Sequence, residues 1–98
     1  MTTNYTPISV TYSDERLRTL VEEFITMQKH EFTFKDLCSY ALYWAKEEGK
    51  TAITDLYESN ELYPADCGRL KHIIKKIVLE GRISAATDNP TRFYKTIS

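Results

Sequence analysis

The stretch that most constrains this chain is "RLKHIIKKIVLEGRISAATDNPTRFYKTI", residues 69–97. Leu70, Ile73, Ile74, Ile77 and Val78 fall at i, i+3, i+4, i+7 and i+8, one apolar stripe of a helix. Tyr63 and Cys67 extend that stripe toward its start. Pro64 suits the first helical turn and Asp66 the positive end of the helix dipole. The helix is therefore expected to run to about Glu80, where Gly81 supplies a left-handed terminating residue. Ile83 and Ala85 then alternate as in a strand. Residues 91–97 read as the return strand, with Asp88-Asn89-Pro90 as the turn. A striped helix followed by a hairpin must find its packing partner earlier in the chain.

Two such partners are legible. Ser13 is a good N-cap, with Asp14 and Glu15 where the dipole favours negative charge. Leu17, Leu20, Val21, Phe24 and Ile25 then form an apolar stripe over a helix of about 14–29. Thr33 can cap a second helix, about 34–48, closed by Gly49. Its main apolar face is Phe34, Leu37, Cys38, Ala41, Leu42 and Ala45. Tyr40, Tyr43 and Trp44 widen that face beyond a normal stripe, which predicts cover from more than one side. Before the first helix, Ile8, Val10 and Tyr12 alternate with polar residues, as in an extended arm or edge strand beginning near Pro7. Between Gly49 and Tyr63, "KTAIT" leans toward β-structure, and Thr54 can cap a brief helix carrying Leu56 and Tyr57.

Length bounds the rest. Ninety-eight residues suggest one domain able to bury a modest core without metal or disulfide staples. Residues 1–12 read as an arm, 13–30 as an additional helix and 33–97 as the core. No apolar run approaches the roughly 20 residues of a membrane span, and no leader pattern is seen. Cys38 and Cys67 are the only cysteines. They could form one disulfide, but a reduced, cytoplasmic chain is the simpler reading, nucleoid-associated or nuclear according to its source.

Charge distribution is more informative than net charge. Residues 1–66 carry twelve acidic and six basic residues, a net of −6; residues 67–98 carry two acidic and seven basic, a net of +5. These sum to the chain's net charge of −1. Such asymmetry points to a polyanionic partner for the basic part.

The order helix, short strand, short helix, longer helix, strand, turn, strand resembles the winged helix-turn-helix superfamily over roughly residues 33–97. The residues carrying the resemblance are "TAITDLYESNELYPADCGRLKHIIKKIVLEGRI" and "SAATDNPTRFYKTI", with Val78-Leu79-Glu80-Gly81-Arg82-Ile83 as the junction of helix and wing. The resemblance implies an α+β fold with a two-stranded wing, and double-stranded DNA binding with the long helix in the major groove. The residues support that independently. With Leu70, Ile74 and Ile77 inward, Gly68, His72, Lys75 and Lys76 point outward, flanked by Arg69 and Lys71. Arg69 could read guanine bidentately, and His72 would add a pH-dependent donor. Asn89, Thr91, Arg92 and Lys95 would meet the DNA backbone from the wing. Such a protein would act as a transcriptional or replication regulator by occupying a site.

Two features qualify this picture. Leu79 falls opposite the core stripe, near Lys75 and His72. The stripe of Leu17, Leu20, Val21 and Phe24, set against Tyr40, Tyr43 and Trp44, leaves apolar surface in excess. That surplus predicts a homodimer, whose two-fold axis would place the basic helices in successive major grooves. Winged helices also serve as protein-interaction modules, so a protein partner in a transcription-related complex is the alternative to DNA. Other chemistries lack their residues. His30, Cys38, Cys67 and His72 match no compact zinc spacing. Cys67 faces inward and His72 outward, which rules out a catalytic pair between them. No phosphate loop, nucleophile elbow or paired carboxylates are visible, so neither an enzyme nor a cofactor is expected.

Overall fold

A computed structural model describes residues 8–51, 62–89 and 91–95. The expected short helix after Thr54 and the Pro90 position of the turn lie outside the described residues.

The helices form where local chemistry places them. Helix α1 spans Asp14–Met27, and the Ser13 side chain accepts from the Arg16 amide. Helix α2 spans Phe34–Glu47 behind a reciprocal cap: Thr33 accepts from the Asp36 amide, and Asp36 accepts from the Thr33 amide. Helix α3 spans Pro64–Leu79, with proline in its first turn and no side-chain cap. Gly49 (φ 68°) and Gly81 (φ 80°) take the left-handed conformation just beyond α2 and α3.

Three strands complete an α+β fold: β1 (Glu31–Thr33), β2 (Ile83–Ala85) and β3 (Arg92–Lys95), in the antiparallel order β1-β3-β2. The expected two-stranded wing is thus the outer part of a three-stranded sheet. Strand β1 fills the turn between α1 and α2, pairing Phe32 with Phe93 and Thr33 with Arg92. Phe32 also meets Phe24 edge-on at 5.2 Å and stacks on Phe93 at 5.6 Å, so one aromatic column joins α1 to the sheet. The element order and sheet are compatible with a winged-helix-like arrangement.

Helix α1 is not an addition to this core. Leu17, Leu20, Val21, Phe24 and Ile25 are all buried within the chain, between α2 and α3. The surplus expected to drive dimerisation is therefore absent at Leu17, Leu20, Val21 and Phe24, which are spent on the domain's own interior. Tyr40 is partly covered by Phe24, whereas Tyr43 and Trp44 remain exposed. The arm behaves as its alternation suggests: Ile8, Val10 and Tyr12 are buried, with single bridges from Ile8 to Leu62 and from Val10 to Thr51.

Candidate nucleic-acid interface

Helix α3 presents three kinds of surface. Leu70, Ile73, Ile74 and Ile77 are buried against the core, together with Asp66. Gly68, Lys71, His72, Lys75 and Lys76 are exposed on the outer side, as expected. Leu79 stands among them, 87% exposed.

The chain's cations divide by type. All five arginines make ion pairs: Arg16 with Glu23 and Glu48, Arg18 with Glu22 and Glu80, Arg69 with Asp14 and Asp66, Arg82 with Glu22, and Arg92 with Glu31. No lysine makes one among the described residues. The planar guanidinium suits fixed, forked contacts to carboxylates, which the compact ammonium of lysine does not make here among the described residues. Lys71, Lys75 and Lys76 are three such lysines, gathered within two turns of one helix.

This corrects the role expected for Arg69. Its guanidinium contacts Asp14 at 2.9 Å and Asp66 at 3.0 Å, and it donates to the Tyr12 carbonyl. A side chain held by the arm and by two carboxylates is not poised to read a base. The wing residues are similarly sorted. The Asn89 side chain accepts from the Thr91 amide (3.0 Å) and from the Thr91 hydroxyl (2.6 Å), so both residues build the turn. Lys95 donates to the Gln28 carbonyl at 2.9 Å, closing the C-terminal end of α1. Arg92 has only a long, exposed contact with Glu31 at 3.6 Å, a pairing worth little in water. It is the wing cation best able to exchange its partner for a phosphate.

The two flanks of α3 differ. Toward α1, Gly68, His72 and Lys76 border a shallow depression shared with Asp14, Glu15 and Arg18. Toward the sheet, a cleft of about 470 Å³ is walled by Phe34, Ile74, Val78, Leu79, Ala85 and Phe93, with Lys71, Lys75 and Thr91 at its edges. Among the described residues no carboxylate lines it, so an anion meets less repulsion from the sheet side. The Phe34 amide donates to the Thr91 carbonyl at 2.7 Å. That bond sets the start of α2, with exposed Lys35, beside the wing. The place of Lys35 beside the wing depends on the β1–β3 pairing, which periodicity in the sequence does not reveal.

Gly68 adds an observation of a different kind. A Cβ placed there meets nothing within 4 Å. A mid-helix glycine costs about 0.8–1.0 kcal/mol relative to alanine, and among the described residues no neighbour requires its small size. The expected outcome of Gly68→Ala is a gain of about 0.5–1 kcal/mol in chemical denaturation. If an outside surface must approach α3 closely at this point, the same change weakens its binding.

Cys38 on α2 and Cys67 on α3 sit thiol to thiol beside the core, both reduced. Burial, reinforced by the neighbouring Cys67, pushes the Cys38 thiol up to about 12. The reactive species is the thiolate, so iodoacetamide at pH 8 should label Cys38 at least about a hundredfold more slowly than a free thiol. Peptide mapping after timed labelling measures this; labelling at the free-thiol rate would mean that α2 and α3 separate readily. The other two residues considered for a metal add nothing to the pair: among the described residues, no group of three or more His, Cys, Asp or Glu could hold a metal ion. Nor is any described helix long and apolar enough to cross a membrane.

Comparisons with protein-family models, with curated proteins and with solved structures find no match to this chain.

Proposed function

We propose that this protein binds double-stranded DNA, with the outer face of α3 entering the major groove and the wing lying along the backbone, and that it regulates transcription or replication by occupying its site. The observation that carries this reading is the division of cations: Arg16, Arg18, Arg69 and Arg82 are engaged in ion pairs at 2.8–3.9 Å, while Lys71, Lys75 and Lys76 are exposed on α3 and make no ion pair among the described residues. Gly68 on that face is consistent with close approach of a second surface. Lys71, Lys75, Lys76 and Arg92 are the contacts we assign, with His72 as an additional donor.

Titration of random-sequence duplexes followed by fluorescence anisotropy tests this. Four phosphate contacts predict a slope of log K against log salt of about −3.6. No binding at low salt would overturn the reading. Selection from a duplex pool then supplies the preferred site. Arg92→Ala should weaken binding to all duplexes alike and flatten the salt slope by about 1, as expected of a residue that touches phosphate. A changed sequence preference would instead make Arg92 a base reader. Any two-fold pairing of copies on a pseudo-palindromic site must now use exposed surface such as Tyr43 and Trp44, since the α1 stripe is interior.

One observation favours the second reading, a protein-docking module. Leu79 is 87% exposed on the same face as the lysines and beside an apolar cleft. DNA can meet an isolated apolar side chain through a thymine methyl, but it offers nothing to fill the cleft.

A further inference from the structure

We infer that the cleft between α3 and the sheet is a docking groove for an amphipathic helix of a partner protein, with acidic residues flanking that helix's apolar stripe. This rests on the protein-docking reading of the α3 face and gives the partner its chemistry.

The groove's floor and walls are apolar. Ile74 and Val78 line it from α3, Ala85 and Phe93 from the sheet, and Phe34 from the start of α2. Leu79 projects beside it into solvent. An exposed leucine next to an apolar recess is a surface awaiting cover, because burying both removes a contiguous apolar patch from water. The lining residues along α3, from Lys71 to Leu79, cover eight helical rises, or about 12 Å. That length suits two turns of a partner helix, read by apolar anchors at i, i+3 or i+4, and i+7. A strand is a poorer occupant. It would need a long open sheet edge, and the edge strand β2 has three residues.

Charge fixes the flank. Lys71 and Lys75 lie one turn apart at the groove's edge, so both can meet a single acidic row. Among the described residues, no Asp or Glu lines the groove to compete for them. An acidic partner is steered in and a basic one is repelled.

The test is selection of a displayed library of helical peptides on the whole protein, with Leu79→Glu and Ala85→Arg variants as controls. Both substituted positions are exposed, and circular dichroism checks that each variant folds. The expected result is enrichment of peptides with an apolar i, i+4, i+7 stripe flanked by Asp or Glu. They should bind the protein at least about tenfold more tightly than either variant, the scale of losing a buried anchor. Replacing their acidic residues with Lys, or changing Lys71 and Lys75 to Glu, should cost about as much. Neutral or basic consensus sequences, or binding that survives both control variants, would overturn the acidic-helix assignment while leaving protein docking in place. No enrichment over the controls would overturn both. Neither outcome depends on DNA.

Discussion

Changing Lys75 and Lys76 together to glutamate should lower duplex affinity by about a hundredfold and leave the fold intact. Each lysine set against a phosphate releases a counterion, and each glutamate in its place repels the same phosphate. Two losses and two repulsions of somewhat under 1 kcal/mol each at moderate salt sum to about 2.7 kcal/mol, which is a hundredfold in affinity. The folded state gives up little. Both side chains are exposed and make no ion pair among the described residues, and surface changes of this kind usually cost less than about 0.5 kcal/mol. The comparison needs the melting curve beside the anisotropy titration. An unchanged melting temperature with affinity within about threefold of the original would remove α3 as the reader.

The parts of this fold legible in the sequence are those governed by neighbours a few residues apart. Ser13, the Thr33–Asp36 pair, Pro64, Gly49 and Gly81 mark helix ends because capping is local. The stripes of α1 and α3 were legible for the same reason. What α1's stripe packs against was not. Periodicity says that Leu20 and Phe24 must be buried; it does not say whether the cover comes from the same chain. Strand β1 was illegible because three residues are too few to show alternation, and its partner, β3, lies at the other end of the chain. Leu79 was visible as a misfit, but the groove beside it exists only once β2 and β3 fold back against α3. Arg69 illustrates the limit most sharply. The helical wheel placed it correctly on the flank of the basic face, yet the arm and Asp14, more than fifty residues earlier, decide what it does.

That capture makes Asp66 the residue whose loss should cost the fold most per atom removed. Asp66 is 4% exposed and is the buried charge among the described core residues. One carboxylate oxygen accepts from the Ser9 hydroxyl (3.1 Å) and the Val10 amide (3.2 Å); the other accepts from Arg69 at 3.0 Å. It therefore ties the arm to the first turn of α3, where the helix dipole also favours its negative charge. Asp66→Ala strands the buried Val10 amide and strips Arg69 of its buried partner. Breaking a buried pair costs about 3–5 kcal/mol. The lower end applies, because Arg69 is part exposed and keeps Asp14 and the Tyr12 carbonyl. A loss of about 3 kcal/mol lowers the Tm of a domain this size by at least about 12 °C. Asp66→Asn restores an acceptor for Val10 without the charge and should recover about half of that loss. Arg69→Ala separates the structural role from the one first expected of it. If Arg69 is a staple, the variant melts early, yet below its melting range it binds the selected duplex within about threefold of the original and with the same base preference. A loss of preference at a guanine, with stability unchanged, would return Arg69 to the DNA.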